Sequence, residues 1–269
     1  MKNNKKKRQR QRILIILFLI ICIFLVFILF RNNKEFYKVE DRTTNIKEEK
    51  KKDNNKVTTI GWIRVQGTNI DAPIVAYSKD YDFYEDSVGK SNFAYNIETT
   101  EKIYNKVNIM GHNILNLSKN PRIKDKRFSR FDNLMAFVYI DFAKKNKYIQ
   151  YTIDGDNYLY KIYAVRLYSS YDKVETEIKK RYTESAIEKY VKEIKKDSIY
   201  DYDVKIDGKD NLISLITCSR FYGEDTDSSF VVDARMVRKG EPIKNYTVQE
   251  TDNYKKILKI MKGDGKNEV

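Results

Sequence analysis

The first regime of this chain is wholly apolar. Residues 13–30, ILIILFLIICIFLVFILF, hold no polar side chain except Cys22. At ~1.5 Å per residue such a run spans roughly 27 Å, close to the thickness of a bilayer core, and it predicts one membrane-spanning helix. Residues 31–56 then turn charged and poor in large apolar groups, the pattern of a stalk, helical in part. From Val57 onward short β-like runs follow. IGWIRVQGTNIDAPIVAYS breaks at Gly67 and Pro73, and KVNIMGHN is a further run. KYIQYTI and YLYKIYAVRLY flank DGDN, Asp154 to Asn157, and predict a hairpin tied by Asp-Gly.

One later segment changes period. Ile187, Tyr190, Val191 and Ile194 follow i, i+3, i+4, i+7 spacing, predicting a helix over 184–196 with one apolar stripe on the sheet. Ser185 and Glu188 fit a capping box at its start. The period then returns to two. In LISLITC, Leu212, Ser214, Ile216 and Cys218 share one face, and Ile213, Leu215 and Thr217 the other. Both faces are mainly apolar, so the strand is central and buried, with the cysteine at its rim end. A last strand covers 230–237. A charged tail runs from Tyr246, with Ile257, Leu258 and Met261 placed to form a short packing helix. Several short strands with one or two inserted helices predict an antiparallel barrel or sandwich carrying α elements.

Charge adds a direction to the apolar span. The chain has 269 residues and a net charge of +14, and residues 1–12 carry seven positive and no negative side chains. By the positive-inside rule that cluster stays in the cytoplasm. The span ends in Leu29, Phe30 and Arg31, without the small residues of a cleavage site, so it reads as an uncleaved anchor and not as a signal peptide. The expected location is the cell membrane, single-pass, with the globular part outside the cell. The remaining basic residues are mixed with Asp and Glu and do not cluster with aromatics, which argues against nucleic-acid binding and for a solvated surface facing an anionic envelope.

With that topology Cys22 lies in the span, and Cys218 is alone in the exported part. Exported proteins usually pair their cysteines, so a single one points to a reactive thiol, or else to a small buried apolar residue. His112 is the only histidine. One histidine and one exported cysteine cannot assemble a zinc site of the Cys/His kind. Glu224, Asp225 and Asp227 crowd together in GEDTDSS but miss the twelve-residue calcium-loop pattern, and read as a solvated acidic loop. A cysteine and a histidine are the minimum for thiol nucleophilic catalysis. A neighbouring cation favours the thiolate, the imidazole can protonate a leaving amine, and a third group must hold the negative oxygen of the tetrahedral intermediate.

NIMGHN around His112 and LITC ending at Cys218, in that chain order, resemble the sortases, the membrane-anchored cysteine transpeptidases of Gram-positive bacteria. IGWIRVQGTNIDAPIV is similar to the start of the sortase barrel, and a helix between the hairpin and the cysteine strand resembles the one that marks class B. The likeness covers roughly 57–240. It implies an eight-stranded β-barrel with added helices over 57–245, preceded by one N-terminal transmembrane helix and followed by a charged tail, 246–269. It implies that Cys218 attacks a carbonyl in a C-terminal sorting motif of surface proteins, forming a thioacyl intermediate. His112 would protonate the leaving amine and deprotonate the incoming one, from a peptidoglycan precursor or a pilin lysine. No metal or organic cofactor is implied.

One position departs from the family. The family's arginine begins the last strand, five residues before an alanine; that alanine is Ala234, and the arginine position holds Ser229. Arg220, two residues after Cys218, is the first candidate for the arginine role. Arg235 is the second, although it lies about 20 Å farther along the strand at ~3.3 Å per residue. Two other functions stay open: an envelope cysteine peptidase or amidase that uses water, and a sortase-like binding module impaired by the missing arginine.

Overall fold

The computed structural model describes residues 14–22, 39–54, 57–77, 94–96, 105–125, 127–128, 131–170, 182–243 and 246–263. The chain divides into two compact units, Met1–Val39 and Glu40–Val269. In the first, residues 14–22 are helical. The other positions of the expected span, 13 and 23–30, lie outside the described residues, as does the basic cluster 1–12. Among the described residues no helix is long and apolar enough to cross a membrane.

The second unit is built on a closed barrel of eight strands: β1 (Val57–Val65), β2 (Asp71–Tyr77), β3 (Ala94–Asn96), β4 (Lys106–Met110), β5 (Tyr148–Ile153), β6 (Asp156–Tyr168), β8 (Leu212–Ser219) and β9 (Ser228–Met236). Their order is β1-β2-β3-β4-β8-β9-β6-β5. A two-stranded sheet pairs β7 (Tyr200–Tyr202) with β10 (Val248–Glu250). The barrel is mixed, not antiparallel as the strand pattern suggested: β2 pairs β3, and β4 pairs β8, in parallel. Alternation reports which face a residue takes but not the direction of its neighbour.

Local signals produce the elements as expected, with small shifts. The β5–β6 turn has two residues, Asp154 (φ 53°) and Gly155 (φ 83°), and the ladder closes at Ile153 and Asp156. Positive φ at both turn positions matches the right-handed twist of the strands, which is what an Asp-Gly pair supplies. Of the four residues DGDN only the first two turn. The helix Glu184–Asp197 buries Ile187, Tyr190, Val191 and Ile194. Its N-cap is Thr183, whose hydroxyl accepts from the Ala186 N–H at 3.2 Å, so Ser185 lies inside the first turn and caps nothing. The barrel interior holds Ile63, Val107, Ile109, Leu215, Phe230 and Val232, together with the 3-10 segment Phe131–Val138, all eight of whose residues are buried.

The charged flank expected to be a free stalk is packed, and the packing helix expected in the tail forms. From Glu40 the charged segment belongs to the domain. The Glu40 N–H donates to Gln150 Oε1 at 3.0 Å, Arg42 meets Asp71 at 2.6 Å, and Arg64 meets Glu40 at 2.8 Å. Ile46, in the helix Thr43–Lys50, is buried. One apolar side chain and a cluster of four charged residues suffice to dock a segment whose composition reads as solvated. At the other end, β10 joins β7, and the helix Asp252–Lys262 buries Tyr254 and Ile257.

Candidate active site

The parallel β4–β8 ladder brings the sole histidine to Cys218. Its last pair is Met110 with Ile216. Beyond it the chain stays alongside: the Gly111 N–H donates to the Ile216 carbonyl at 3.1 Å, and Thr217 Oγ1 donates to the Gly111 carbonyl at 2.7 Å. Asn113 Nδ2 then donates to the Cys218 carbonyl at 3.0 Å. These bonds hold His112 level with Cys218 on the adjacent strand, where backbones lie about 4.8 Å apart. Gly111 is required for this seating. A Cβ there would stand 2.5 Å from Cγ of the buried Phe131 ring.

On the other side of Cys218 the antiparallel β8–β9 ladder runs without a register shift and sets Ser229 opposite it. The β6–β9 ladder sets Tyr168 opposite Ser229. Tyr168, Ser229 and Cys218 thus form one row on the outer face of the barrel, with His112 continuing it. The next row holds Met110, Ile216 and Val231 in one small cluster, with Arg166 opposite Val231. Together with the row below, Arg166 forms a polar layer that sequence reading missed. Arg166 Nε donates to Asp233 Oδ2 at 2.7 Å and Nη2 to Oδ1 at 3.0 Å, and both residues are fully buried. Ser214 Oγ also donates to Asp233 Oδ1, at 2.5 Å. Arg166 Nη1 donates to the Tyr168 hydroxyl, which donates to Asp197 Oδ2 at 3.2 Å. The available signal was a polar residue interrupting an apolar run in each of three strands: Ser214 in β8, Asp233 in β9 and Arg166 in β6.

Cys218 is half-buried, in keeping with a rim position. Burial pushes its thiol above the ordinary value, and the Asp227 carboxylate adds to that. Both influences favour the neutral thiol, so it would need a base to act as a nucleophile.

The two candidate arginines are placed differently. Arg235 sits opposite Leu212, at the far end of the β8–β9 ladder from Cys218. Its guanidinium is buried against Glu241, with Nη2 donating to Oε1 at 2.9 Å. Arg235 is a structural ion-pair residue and is removed from the site. Arg220 lies on the loop just past β8, its N–H bonded to the Leu117 carbonyl at 2.9 Å. Its side chain is 50% exposed and pairs with Glu224 at 2.8 Å. It lines a cavity of about 380 Å³ with Ser118, Lys119, Phe221 and Tyr222. Of the acidic loop, Glu224 serves that ion pair and Asp227 acts on the thiol.

No family model matches the sequence. Sortase B of Listeria monocytogenes is 30% identical over 190 residues, 68% of this chain and 68% of that protein. Sortase B of Staphylococcus aureus is 25% identical over 189 residues, 66% of this chain and 70% of that one. Among solved structures, Clostridium perfringens sortase B superposes with a TM-score of 0.56 at 25% identity, covering 71% of this chain and all (100%) of that one. A barrel whose parallel strands bring one histidine level with one cysteine, and relatives of this similarity over two thirds of their length, lead to one family: the chain belongs to the sortases, cysteine transpeptidases, and is class B-like.

Proposed function

We propose that this sortase is anchored in the cell membrane by residues 13–30, N-terminus inside, and joins surface proteins to an amine outside the cell through Cys218 and His112. The observation that carries the reading is the row itself: His112 and Cys218 level on adjacent parallel strands, at the open end of the barrel. In this reading His112 takes the thiol proton as the sulfur attacks the carbonyl of a sorting motif. The imidazolium gives that proton to the leaving amine, and a thioacyl enzyme remains. An incoming amine, of a peptidoglycan precursor or a pilin lysine, then gives its proton to His112 and attacks the thioester. Sortase B structures of the same fold have been solved with a substrate and with triglycine bound, which supports a peptide and an amine as partners.

In this scheme Arg220, on the loop past β8, serves the bound substrate chain and not the oxyanion. Its ion pair with Glu224 is exposed, and such a pair is worth only about 0–1 kcal/mol, so the guanidinium can leave it for a bound substrate at little cost. The test is incubation of the full chain in detergent with sorting-motif peptides, with and without an added amine. Ligation that needs the amine and vanishes in Cys218→Ala and His112→Ala is expected. Cleavage indifferent to the amine would instead mark a hydrolase, and a Cys218 that no electrophilic peptide labels would mark a binding module.

A further inference from the structure

We propose that the Ser229 hydroxyl is a catalytic hydrogen-bond donor to the oxyanion formed when Cys218 is acylated, at the position where the family resemblance calls for arginine. The inference rests on Cys218 being the nucleophile, but not on the identity of its natural substrate.

Register carries it. The ladder from Leu212–Arg235 to Ser219–Ser228 has no bulge, so Cys218 and Ser229 face each other directly, on the same side of the sheet. Opposed residues in an antiparallel pair hold their Cβ atoms about 4.5–5.5 Å apart. The hydroxyl lies one bond from its Cβ and the sulfur one bond from its own. The carbonyl carbon and its oxygen add two more bonds on the sulfur side. Donor and oxyanion therefore meet at the ~2.7 Å of an O–H···O⁻ bond without any strand movement. Ser229 is 2% exposed. A donor in so dry a place is worth more than one in water, because its dipole is already oriented and unscreened.

Among the described residues, several other hydroxyl, amide and guanidinium groups near Cys218 are engaged elsewhere. Thr217 Oγ1, on the opposite face, donates to the Gly111 carbonyl. Asn113 Nδ2 donates to the carbonyls of Asn116 and Cys218. Ser228 Oγ donates to the Ser219 carbonyl at 2.8 Å. The Tyr168 hydroxyl, on the far side of Ser229, donates to Asp197. The Arg220 guanidinium stands with Glu224.

In the acylation step His112 removes the thiol proton as the sulfur–carbon bond forms. The carbonyl π pair moves onto oxygen, and that oxygen accepts the hydrogen bond from Ser229, which keeps its own proton. Collapse re-forms the carbonyl and breaks the bond to the leaving group. An amine leaves with the proton from His112; a p-nitrophenolate leaves as the anion.

The experiment compares two reactions of one thiol in the full chain in detergent, with Cys22→Ser as background. Acylation by p-nitrophenyl acetate passes through an oxyanion, and alkylation by iodoacetamide does not. Ser229→Ala is expected to slow acylation by ~10²-fold, the scale of one lost oxyanion donor, and to leave alkylation unchanged. Ser229→Thr, which keeps the hydroxyl, is expected to retain most of the acylation rate. Equal slowing of both reactions, no slowing of either, or transfer of the acylation loss to Arg220→Ala would each overturn the proposal. A Ser229 effect in a protein that ligates no sorting peptide would leave the donor standing and reject the transpeptidase substrates. Acylation of the parent no faster than of Cys218→Ala would reject both.

Discussion

Replacing Arg235 by methionine separates a structural arginine from a catalytic one. Arg235 lies opposite Leu212, six ladder positions from Cys218, which at ~3.3 Å per residue is about 20 Å. An oxyanion donor must stand about 3 Å from the reacting oxygen, so the substitution removes nothing the reaction touches. What it removes is the main partner of Glu241. That carboxylate also takes Lys161 Nζ at 2.6 Å and the Arg238 N–H at 2.9 Å, and its side chain is 21% exposed. Breaking a fully buried pair costs about 3–5 kcal/mol. With two donors left and part of the carboxylate in water, about 1–3 kcal/mol is expected here. The assay is urea unfolding beside turnover on the same preparation. The midpoint should fall at constant slope, while turnover of the folded protein stays unchanged. The pH dependence carries a second mark. Arg235, first among its partners, holds the Glu241 carboxyl below its ordinary value of 4.5. A carboxyl whose folded value is depressed adds stability above its unfolded value and loses it as pH falls below that, so the acid side of the stability curve should become shallower in Arg235→Met. A ~10²-fold loss of turnover with an unmoved urea midpoint would refute this placement.

Three further outcomes follow from the same geometry. Asp227→Asn removes the carboxylate that helps to raise the Cys218 thiol, so iodoacetamide alkylation in a Cys22→Ser background should quicken at neutral pH and its midpoint should move down while staying above the ordinary 9.0, since burial is the larger cause; an unmoved midpoint rejects the assignment. Asp233→Ala takes from the buried Arg166 guanidinium its Asp233 carboxylate and should cost on the order of 3–5 kcal/mol by urea unfolding, whereas Arg166→Met with Asp233→Leu should cost much less; equal losses would show that charge pairing is not what Asp233 contributes. Gly111→Ala forces a Cβ to within 2.5 Å of Phe131 Cγ, and should cost about 1–3 kcal/mol and slow ligation, with partial rescue by Phe131→Leu; full stability without rescue would mean that the ring gives way freely.

The site was legible in part. Scarcity singled out Cys218 and His112, because one thiol beyond the apolar span and one imidazole leave little else for nucleophilic chemistry. The motifs around them supplied the family and the eight strands. Ser229 stood out in the chain as the departure from the family, but its neighbours in space could not be read there. Only the fold shows Ser229 opposite Cys218, Arg235 tied to Glu241, and Arg220 at the surface with Glu224. The polar layer of Arg166, Asp233 and Ser214 left a trace in the sequence, since all three interrupt apolar strands. Their pairing did not, because it joins three strands.

What the sequence determined by itself is local: the hairpin at Asp154–Gly155, the apolar stripe of the helix from Glu184, the two faces of the strand ending in Cys218. Each follows from backbone geometry, which repeats every two or 3.6 residues whatever the rest of the chain does. Tertiary structure alone decided that β4 runs parallel to β8 and that Glu40–Lys50 docks. These depend on closing the barrel, a condition that sets strand neighbours and registers together. No single segment's periodicity encodes the partner that closure assigns to it.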